Sequence, residues 1–499
     1  MKIVLISTDE TEEGMGVKTL SSCLINQKFE TAIILLNTPK DNFKEFHWED
    51  LDEICQGAEL IGISCMTHGV KKAIEVKKHL SAKLEIPIIV GGIACISPES
   101  LLHSFDLVCH GEGEDLIVEL AHRLKNNTPY DDIPGLWVKN GHHVIKNRSL
   151  ELSRNLNEYP LPDYDYTHQF VMDGNRLVPM TPTFGVRLDD FLVLGSRGCP
   201  HCCSYCCNNA LKNNFPWFKV VRHYSIDRLI NNIKEVRRYY PDVRRLDIED
   251  DTFFAKRLDE VIEFSKRYKK EINIPFRIFI SPGTFDPNKL LPLVEAGMYK
   301  LIMGIQTGSE NVARNIYCRN QSNEKIMQIA MMLNRYSSRI QVCYDFMGMN
   351  PFESTEDLIN TIRFIKSLPT PFWIFNNNLA FYPGTDLYER AVRSGLDIHL
   401  RVKHSEASIG YSILGQEKIK HKLFHLLLLL MAGSVDNKRI GWLDRIFVSD
   451  WLIAGYRFLD EIFGGVTNLI TSIVAGILNT IHLNKQNRLK IFLKKIMFS

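Results

Sequence analysis

The chain has 499 residues, enough for two to four domains at about 100–200 residues each. Its 45% apolar and 24% charged composition is that of a globular protein able to bury large cores, so no metal is needed to staple a small scaffold. A net charge of +2, with no basic stripe and no aromatic RNA-binding signature, argues against a nucleic-acid partner. The N-terminal apolar run is too short for a signal peptide and lacks a cleavage site of small residues, so a cytoplasmic location is expected.

Ile3–Ile6, Ala32–Leu36, Leu60–Ser64, Ile88–Val90 and Leu107–Cys109 are short apolar runs that predict buried strands. Helical patterns fall between them at Val17–Gln27, Lys71–Leu84 and Asp115–Lys125. Such alternation predicts an α/β fold with an open, doubly wound parallel sheet over 1–128. The stretch 129–190 is rich in Pro, Asn, Asp and Tyr, as in Tyr159-Pro-Leu-Pro-Asp-Tyr-Asp-Tyr166, and shows no sustained period. It is expected to be a linker.

A second series starts at Phe191. Its expected strands are Phe191–Gly195, Arg245–Ile248, Phe276–Ile280, Lys300–Gly304, Gln341–Phe346 and Trp373–Phe375, the last extending to Phe381. Helical patterns separate them. In Ser225–Tyr239, for example, Ile226, Leu229, Ile230, Ile233 and Val236 share one face and Ser225 is the expected N-cap. Six such units predict a partial (β/α)6 barrel over 191–397, with its chemistry on loops at the C-terminal ends of the strands. From 398 to 499 the alternation stops and a helical region is expected.

Five of the twelve cysteines crowd into the segment Cys199–Cys207, which follows a predicted strand. That is no disulfide framework; in a reducing compartment it reads as a metal site. One register satisfies the spacing Cys-x3-Cys-x2-Cys, namely Cys199, Cys203 and Cys206. Thiolates are the preferred ligands of iron–sulfur clusters, and three of them leave the fourth iron of a 4Fe–4S cluster open. A structural zinc site wants a second, separated Cys pair, which is absent at the needed spacing. An electron carrier wants a fourth cysteine. Cys202 and Cys207 are left without a role.

At this loop, Gly195-Ser-Arg-Gly-Cys-Pro-His-Cys-Cys-Ser-Tyr-Cys-Cys207, the chain resembles the radical S-adenosylmethionine superfamily. The resemblance extends over about 191–393, through Asp247-Ile-Glu-Asp-Asp-Thr-Phe253, Gly304-Ile-Gln-Thr-Gly-Ser309, Gly348-Met-Asn-Pro-Phe-Glu-Ser-Thr-Glu-Asp357 and Tyr382-Pro-Gly-Thr-Asp-Leu-Tyr388. It implies that the open iron chelates S-adenosylmethionine and that one electron cleaves the cofactor to a 5′-deoxyadenosyl radical. It also implies cofactor contacts at Tyr205, Asp250, Asp251 and Gln306, with Gln306 standing where the family carries Glu. An amide oxygen still accepts a hydrogen bond there. Taken singly, each of these segments has an ordinary reading as a turn or a solvated loop; their order is what carries the resemblance.

The N-terminal part resembles the Rossmann-like cobalamin-binding domain found in many of these enzymes. The matching segments are Ile61-Gly-Ile-Ser-Cys-Met-Thr67, Ile88-Ile-Val-Gly-Gly92 and Asp106-Leu-Val-Cys-His-Gly-Glu-Gly-Glu114. Ser64, Thr67, Gly91, Gly92, Gly111 and Glu112 are the implied cobalamin contacts, at strand ends where such sheets bind ligands. The Asp-x-His-x-x-Gly signature whose His ligates cobalt is missing after the first strand, where Ser7-Thr-Asp-Glu-Thr-Glu-Glu-Gly14 stands instead. This implies cobalt without a protein histidine below it; His68 and His110 are ordinary strand-end histidines.

Together these readings imply a cobalamin-dependent radical enzyme that methylates an unactivated carbon or phosphorus centre. The alternatives are a radical cyclisation or rearrangement with the same cofactors, and a non-catalytic iron–sulfur carrier or binding protein. No side chain is assigned as catalytic acid, base or nucleophile. The expected partners are a small-molecule or lipid-like substrate and a reductase, flavodoxin or ferredoxin as electron donor. Near the C-terminus, 424–431 is apolar but too short to span a bilayer, and 462–484 carries one apolar stripe with a polar back. Residues 485–498 form a basic amphipathic tail, fit either to pack on the barrel or to touch a membrane surface.

Overall fold

The computed structural model describes residues 1–9, 14–37, 45–149, 155–348 and 350–396. The expected C-terminal helices and the basic tail lie outside these residues. Among the described residues, no helix is long and apolar enough to cross a membrane.

The first sheet holds nine strands: β1 Lys2–Ser7, β2 Glu30–Leu35, β3 Ala58–Ser64, β4 Ile88–Gly91, β5 Leu107–Cys109, β6 Leu136–Asn140, β7 His143–Lys146, β8 Gln169–Asp173 and β9 Arg176–Pro179. Their order is β7-β6-β5-β4-β3-β1-β2-β8-β9. The run from β5 to β8 is parallel, and β6, β7 and β9 are antiparallel additions at the two edges. Ile3, Val4, Leu5 and Ile6 of the central strand are fully buried, as a parallel strand covered on both faces requires. The order 2-1-3-4-5 reverses between β1 and β3, and in such sheets ligands bind outside the carboxyl ends of the strands at that reversal. There, Met66 N–H donates to Asp9 Oδ1 at 2.8 Å and so bridges the two strand ends.

Four of these strands come from the stretch expected to be a linker. At four or five residues each they are too short to carry a period. What docks the stretch is Asp163, which is buried. Its N–H donates to the Lys18 carbonyl at 3.0 Å. Its Oδ2 accepts from Ser21 Oγ at 2.6 Å and pairs with His168 Nε2 at 2.7 Å. Its carbonyl accepts from Gln169 Nε2 at 2.9 Å. One acidic side chain therefore ties the segment to the helix Met15–Asn26. The helix Trp48–Cys55 also has no counterpart in the sequence reading; at two turns, with Leu51 and Cys55 its buried positions, it is too short to show a stripe.

The second series supplies β10 Phe191–Val193, a two-strand ribbon of β11 Ser196–Arg197 and β12 Arg222–His223, then β13 Leu246–Ile248, β14 Phe276–Ile280, β15 Met298–Gln306, β16 Gln341–Gly348 and β17 Trp373–Asn378. The sheet order β10-β13-β14-β15-β16-β17 keeps the chain order, as a β/α series demands. Ser225 caps the helix Ile226–Tyr239 as expected, its Oγ accepting from Arg228 N–H at 3.2 Å. The chain divides into two compact units. The first comprises 1–280, 284–301 and 382–394, and the second takes the remainder.

Although burial opposes its charge, the hydrogen bond to Asp163 raises the His168 imidazolium above its ordinary 6.5. A raised histidine stabilises fully below the unfolded value and loses that contribution as pH rises through the folded value. Melting temperatures of native protein and His168→Gln should therefore differ most below pH 6.5 and converge in the alkaline range. A difference that stays constant with pH would remove the charged pair from the account.

Candidate functional site

The cysteine loop starts from a pinned backbone. Asp250 Oδ1 accepts from Gly195 N–H at 2.6 Å, and Lys256 Nζ bridges Asp250 Oδ2 at 2.7 Å and the Gly195 carbonyl at 3.0 Å. Asp250 and Lys256 are fully buried, so each neutralises the other where water cannot. Both carboxylate oxygens of Asp250 are thus engaged within the chain. The loop ends in the helix Cys207–Asn214, for which Cys206 is the N-cap. Cys206 N–H turns back to the Cys203 carbonyl at 3.1 Å. Asn208 Nδ2 reaches Cys206 Sγ at 3.8 Å and Asp251 Oδ1 at 2.8 Å.

Cys203 is buried, Cys199 and Cys206 are half-buried, and Cys202 is exposed. A hydrogen bond from the Cys207 thiol pulls the Cys206 thiol down to about 7, against burial and with help from the Asn208 N–H. A helix N-terminus also favours a thiolate at that position. Burial pushes the Cys199 thiol up to about 12, and a coordinated metal would draw off its proton. The three thiols share one loop, but among the described residues no three His, Cys, Asp or Glu side chains converge as around a single ion. Tyr205, between them, is half-buried. Asp251 is exposed, though the crowded loop raises its carboxyl.

Ser64, Thr67, Gly91, Gly92, Gly111 and Glu112 lie at or just after the C-terminal ends of β3, β4 and β5, so parallel pairing brings them to one edge of the sheet. Gly92 has φ +94°, and a Cβ there would stand 2.6 Å from the Cys65 carbonyl oxygen. No other residue fits that turn. Cβ atoms at Gly91 and Gly111 would meet nothing nearer than 3.6 and 3.8 Å. The backbone there is smooth and open enough to meet a flat ring. His110 is occupied by packing: its ring lies 5.0 Å from that of Trp137 and 4.6 Å from that of Phe215, and burial lowers its pKa.

An ion-pair network fastens this edge to the cysteine loop. Arg197, two residues before Cys199, holds Glu112 Oε2 at 3.1 Å and Glu114 Oε1 at 2.6 Å. Arg222 on the partner strand of the ribbon holds both oxygens of Glu112. Burial works against its charge, yet the Arg197 guanidinium keeps the Glu114 carboxyl below the usual carboxylate range. The sequence carried no signal for this network, since Arg222 and Glu112 stand 110 positions apart.

Comparison with known proteins is consistent with both halves of this arrangement. The radical SAM superfamily model matches residues 193–365, and the B12-binding domain model matches residues 1–121. The chain belongs to the radical S-adenosylmethionine enzymes that carry a cobalamin-binding domain. An uncharacterised methyltransferase of Pyrococcus horikoshii is 26% identical over 68% of this chain and 70% of its own length. The cobalamin-dependent radical SAM methyltransferase TokK of Streptomyces tokunonensis is 28% identical over 30% of this chain and 22% of its own. Among solved structures, OxsB with aqua-cobalamin and S-adenosylmethionine superposes with TM-score 0.66 at 13% identity, covering 99% of this chain and 80% of that one. TsrM of Kitasatospora setae, with tryptophan substrate and an S-adenosylmethionine analogue, gives 0.63 at 14%, covering 82% and 79%. These two likenesses speak for the fold.

The residues present fit the cofactors of such an enzyme. Three thiols at the required spacing are the donor set of a site-open cluster. In the second unit, Gln306 is buried with its Oε1 lacking any hydrogen-bond partner. Its φ is +72°, a conformation costing a non-glycine residue about 1–3 kcal/mol. Strain and an unmet acceptor coincide at this one residue, a combination that clusters at ligand sites.

Cys199→Ala, Cys203→Ala and Cys206→Ala should each lose the absorbance of the reconstituted cluster, while Cys202→Ala and Cys207→Ala largely keep it. A full cluster in Cys203→Ala would overturn that assignment. Truncating Glu112 to Ala leaves buried guanidinium charge and should lower stability by about 3–5 kcal/mol. A double-mutant cycle with Arg222→Ala, read by denaturant unfolding, should show strong coupling; additive losses would mean the pair is not energetically linked.

Proposed function

We propose that this enzyme is a cobalamin-dependent radical S-adenosylmethionine methyltransferase that acts on an unactivated carbon or phosphorus centre of a small molecule. The observation that carries the reading is the fastening of the cysteine loop to the strand-end edge through Arg197, Glu112 and Glu114 within one compact unit. A methyltransferase needs both cofactors held in fixed relation, and a buried ion-pair network supplies that stiffness. The relatives named as methyltransferases support the same reading.

Cys199, Cys203 and Cys206 would hold the cluster, with Asp250 and Lys256 fixing the base of their loop. Gln306 Oε1 would accept from a ribose hydroxyl of S-adenosylmethionine, while Tyr205 and Asp251 line the loop's approach. Gly91, Gly92 and Gly111 would present backbone to the corrin, with Ser64 and Thr67 beside them. When bound, the cluster and S-adenosylmethionine supply a 5′-deoxyadenosyl radical, and cobalamin supplies the methyl group. The electron would come from a reductase, flavodoxin or ferredoxin. The basic tail 485–498 would draw the enzyme to anionic membrane surfaces that present a lipid-like substrate.

Anaerobic protein reconstituted with iron, sulfide and hydroxocobalamin should bind one corrinoid, release 5′-deoxyadenosine on reduction, and move label from methyl-labelled S-adenosylmethionine into a product of host extract. Deoxyadenosine with an unmethylated, rearranged product would favour cyclisation or rearrangement. No deoxyadenosine at all would leave an iron–sulfur carrier. In vesicle sedimentation, the full chain should pellet with anionic but not neutral lipid and detach as salt rises. A chain that stays in the supernatant at low salt would end the membrane proposal.

A further inference from the structure

Lys212 lies in the last turn of the helix Cys207–Asn214, yet its side chain runs back to the cysteine loop. Nζ donates to the His201 carbonyl at 2.7 Å and reaches Cys202 Sγ at 3.9 Å, and the residue is only 7% exposed. A lysine in a last turn ordinarily offsets the helix dipole with its ammonium in solvent. This one has given up that solvent. Its two partners, a carbonyl and a thiol, leave the third of its donors unused. Neither supplies the negative charge that a buried ammonium calls for.

Among the described residues no carboxylate pairs with it. The acids nearest its helix are engaged by neighbours on that helix: Asp251 accepts from Asn208 Nδ2 at 2.8 Å and Asp386 from Asn209 Nδ2 at 2.7 Å. Other buried cations of the same unit are compensated. Lys256 meets Asp250 at 2.7 Å, Lys289 meets Asp286 at 3.9 Å, and Arg222 meets Glu112. A buried cation without a counter-charge is among the most destabilising things a fold can hold. Lys212 is therefore the exception, and its position gives the reason. His201 and Cys202 stand between Cys199 and Cys203, so the ammonium lies against the middle of the loop whose thiols would hold the cluster. Three thiolates on a 4Fe–4S core of two positive charges make a net anion, and the reducing electron adds to it.

We propose that Lys212 is the counter-charge of the cluster: its ammonium offsets the cluster's negative charge, raises its reduction potential, and so eases entry of the electron that cleaves S-adenosylmethionine. It is a positioning residue, acting through the cluster and touching no reacting atom. Nearby charge and hydrogen bonds are the levers a protein has on such a potential. An ammonium acts as a point charge, so a guanidinium at the same place keeps the effect and an isosteric thioether removes it. The inference rests on the cluster and not on methyl transfer, so either reading can fail without the other.

The test uses full-length anaerobic protein reconstituted with iron and sulfide, poised at a series of potentials with dithionite and followed by the electron paramagnetic resonance of the reduced cluster. Lys212→Met should make the cluster about tenfold harder to reduce, the scale of one buried charge acting over several ångströms. For a one-electron couple that is a midpoint about 59 mV more negative. Lys212→Arg should restore it. A lysine that only props the His201 carbonyl would leave the potential where it was, and an unmoved potential in Lys212→Met would overturn the proposal. A second measurement needs no cluster. Without its counter-ion the buried charge only destabilises, and His201 is half-buried, so water can take over its carbonyl. Metal-free Lys212→Met should therefore melt no lower than metal-free native protein, whereas the loaded variant should lose iron to a chelator faster than loaded native protein. A metal-free variant that melts lower would assign the lysine to the structure of the loop and equally overturn the proposal.

Discussion

Arg197 cannot be buried alone. A lone guanidinium taken out of water costs several kcal/mol or more, a large part of the stability of a whole domain. The chain meets this by grouping two acids with two bases: Glu112 after β5 and Glu114 at the start of the helix that follows, Arg197 and Arg222 on the ribbon around the cysteine loop, with Glu114 and Arg222 buried and the other two mostly withdrawn from water. The charges balance only when both segments are in place. The strand-end edge of the first sheet and the start of the cysteine loop therefore form as one thing. Sliding either by a residue would strand a charge, so the pairing sets register more than it adds stability.

The rest of the loop is tied down in the same manner but with different chemistry. Asp250 and Lys256 hold both backbone groups of Gly195. The Ser204 carbonyl accepts from Leu387 N–H at 2.9 Å, and Asn209 donates to Asp386 at 2.7 Å, so the Tyr382-Pro-Gly-Thr-Asp386 turn closes over the loop from the far end of the sequence. Gly384 is required there, since its φ is +86° and a Cβ would come within 2.9 Å of Ile96. These contacts fix the backbone of the loop at both of its ends. The supporting contacts are made by side chains outside the Cys199–Cys207 segment.

The second unit shows the opposite economy. Gln306 is held in a left-handed conformation with one amide end satisfied and the other not, beside a carboxylate whose charge burial opposes. Gly304 makes room for this, because a Cβ there would press within 2.8 Å of the Gln306 amide. A fold optimised for stability alone would have no reason to keep such a cluster. Local cost at the C-terminal ends of barrel strands is where function is expected to sit.

Much of this was legible in the amino-acid order. Strands such as β1, with Ile3–Ile6 wholly buried, stand where the apolar runs predict them, because a buried parallel strand needs a continuous apolar stretch whatever surrounds it. The Ser225 cap and the turns at the strand-end glycines were readable for the same reason: each depends on neighbours a few residues away. Contacts that close over long separations were not. Nothing local distinguishes Asp163, which turns an apparent linker into sheet edges, from any acid in a Pro-rich loop. Nothing in Gly-Glu-Gly-Glu tells whether Glu112 faces a ligand or two arginines, one of them 110 residues away. Asp345 and Asn377 carry no motif at all; they meet through the parallel register of β16 and β17. Periodicity and spacing determined which elements form and where the thiols lie, because those follow from backbone geometry. Which charges meet, and which acceptor stays unmet, was decided by tertiary structure, because electrostatic pairing depends on distance in space and not along the chain.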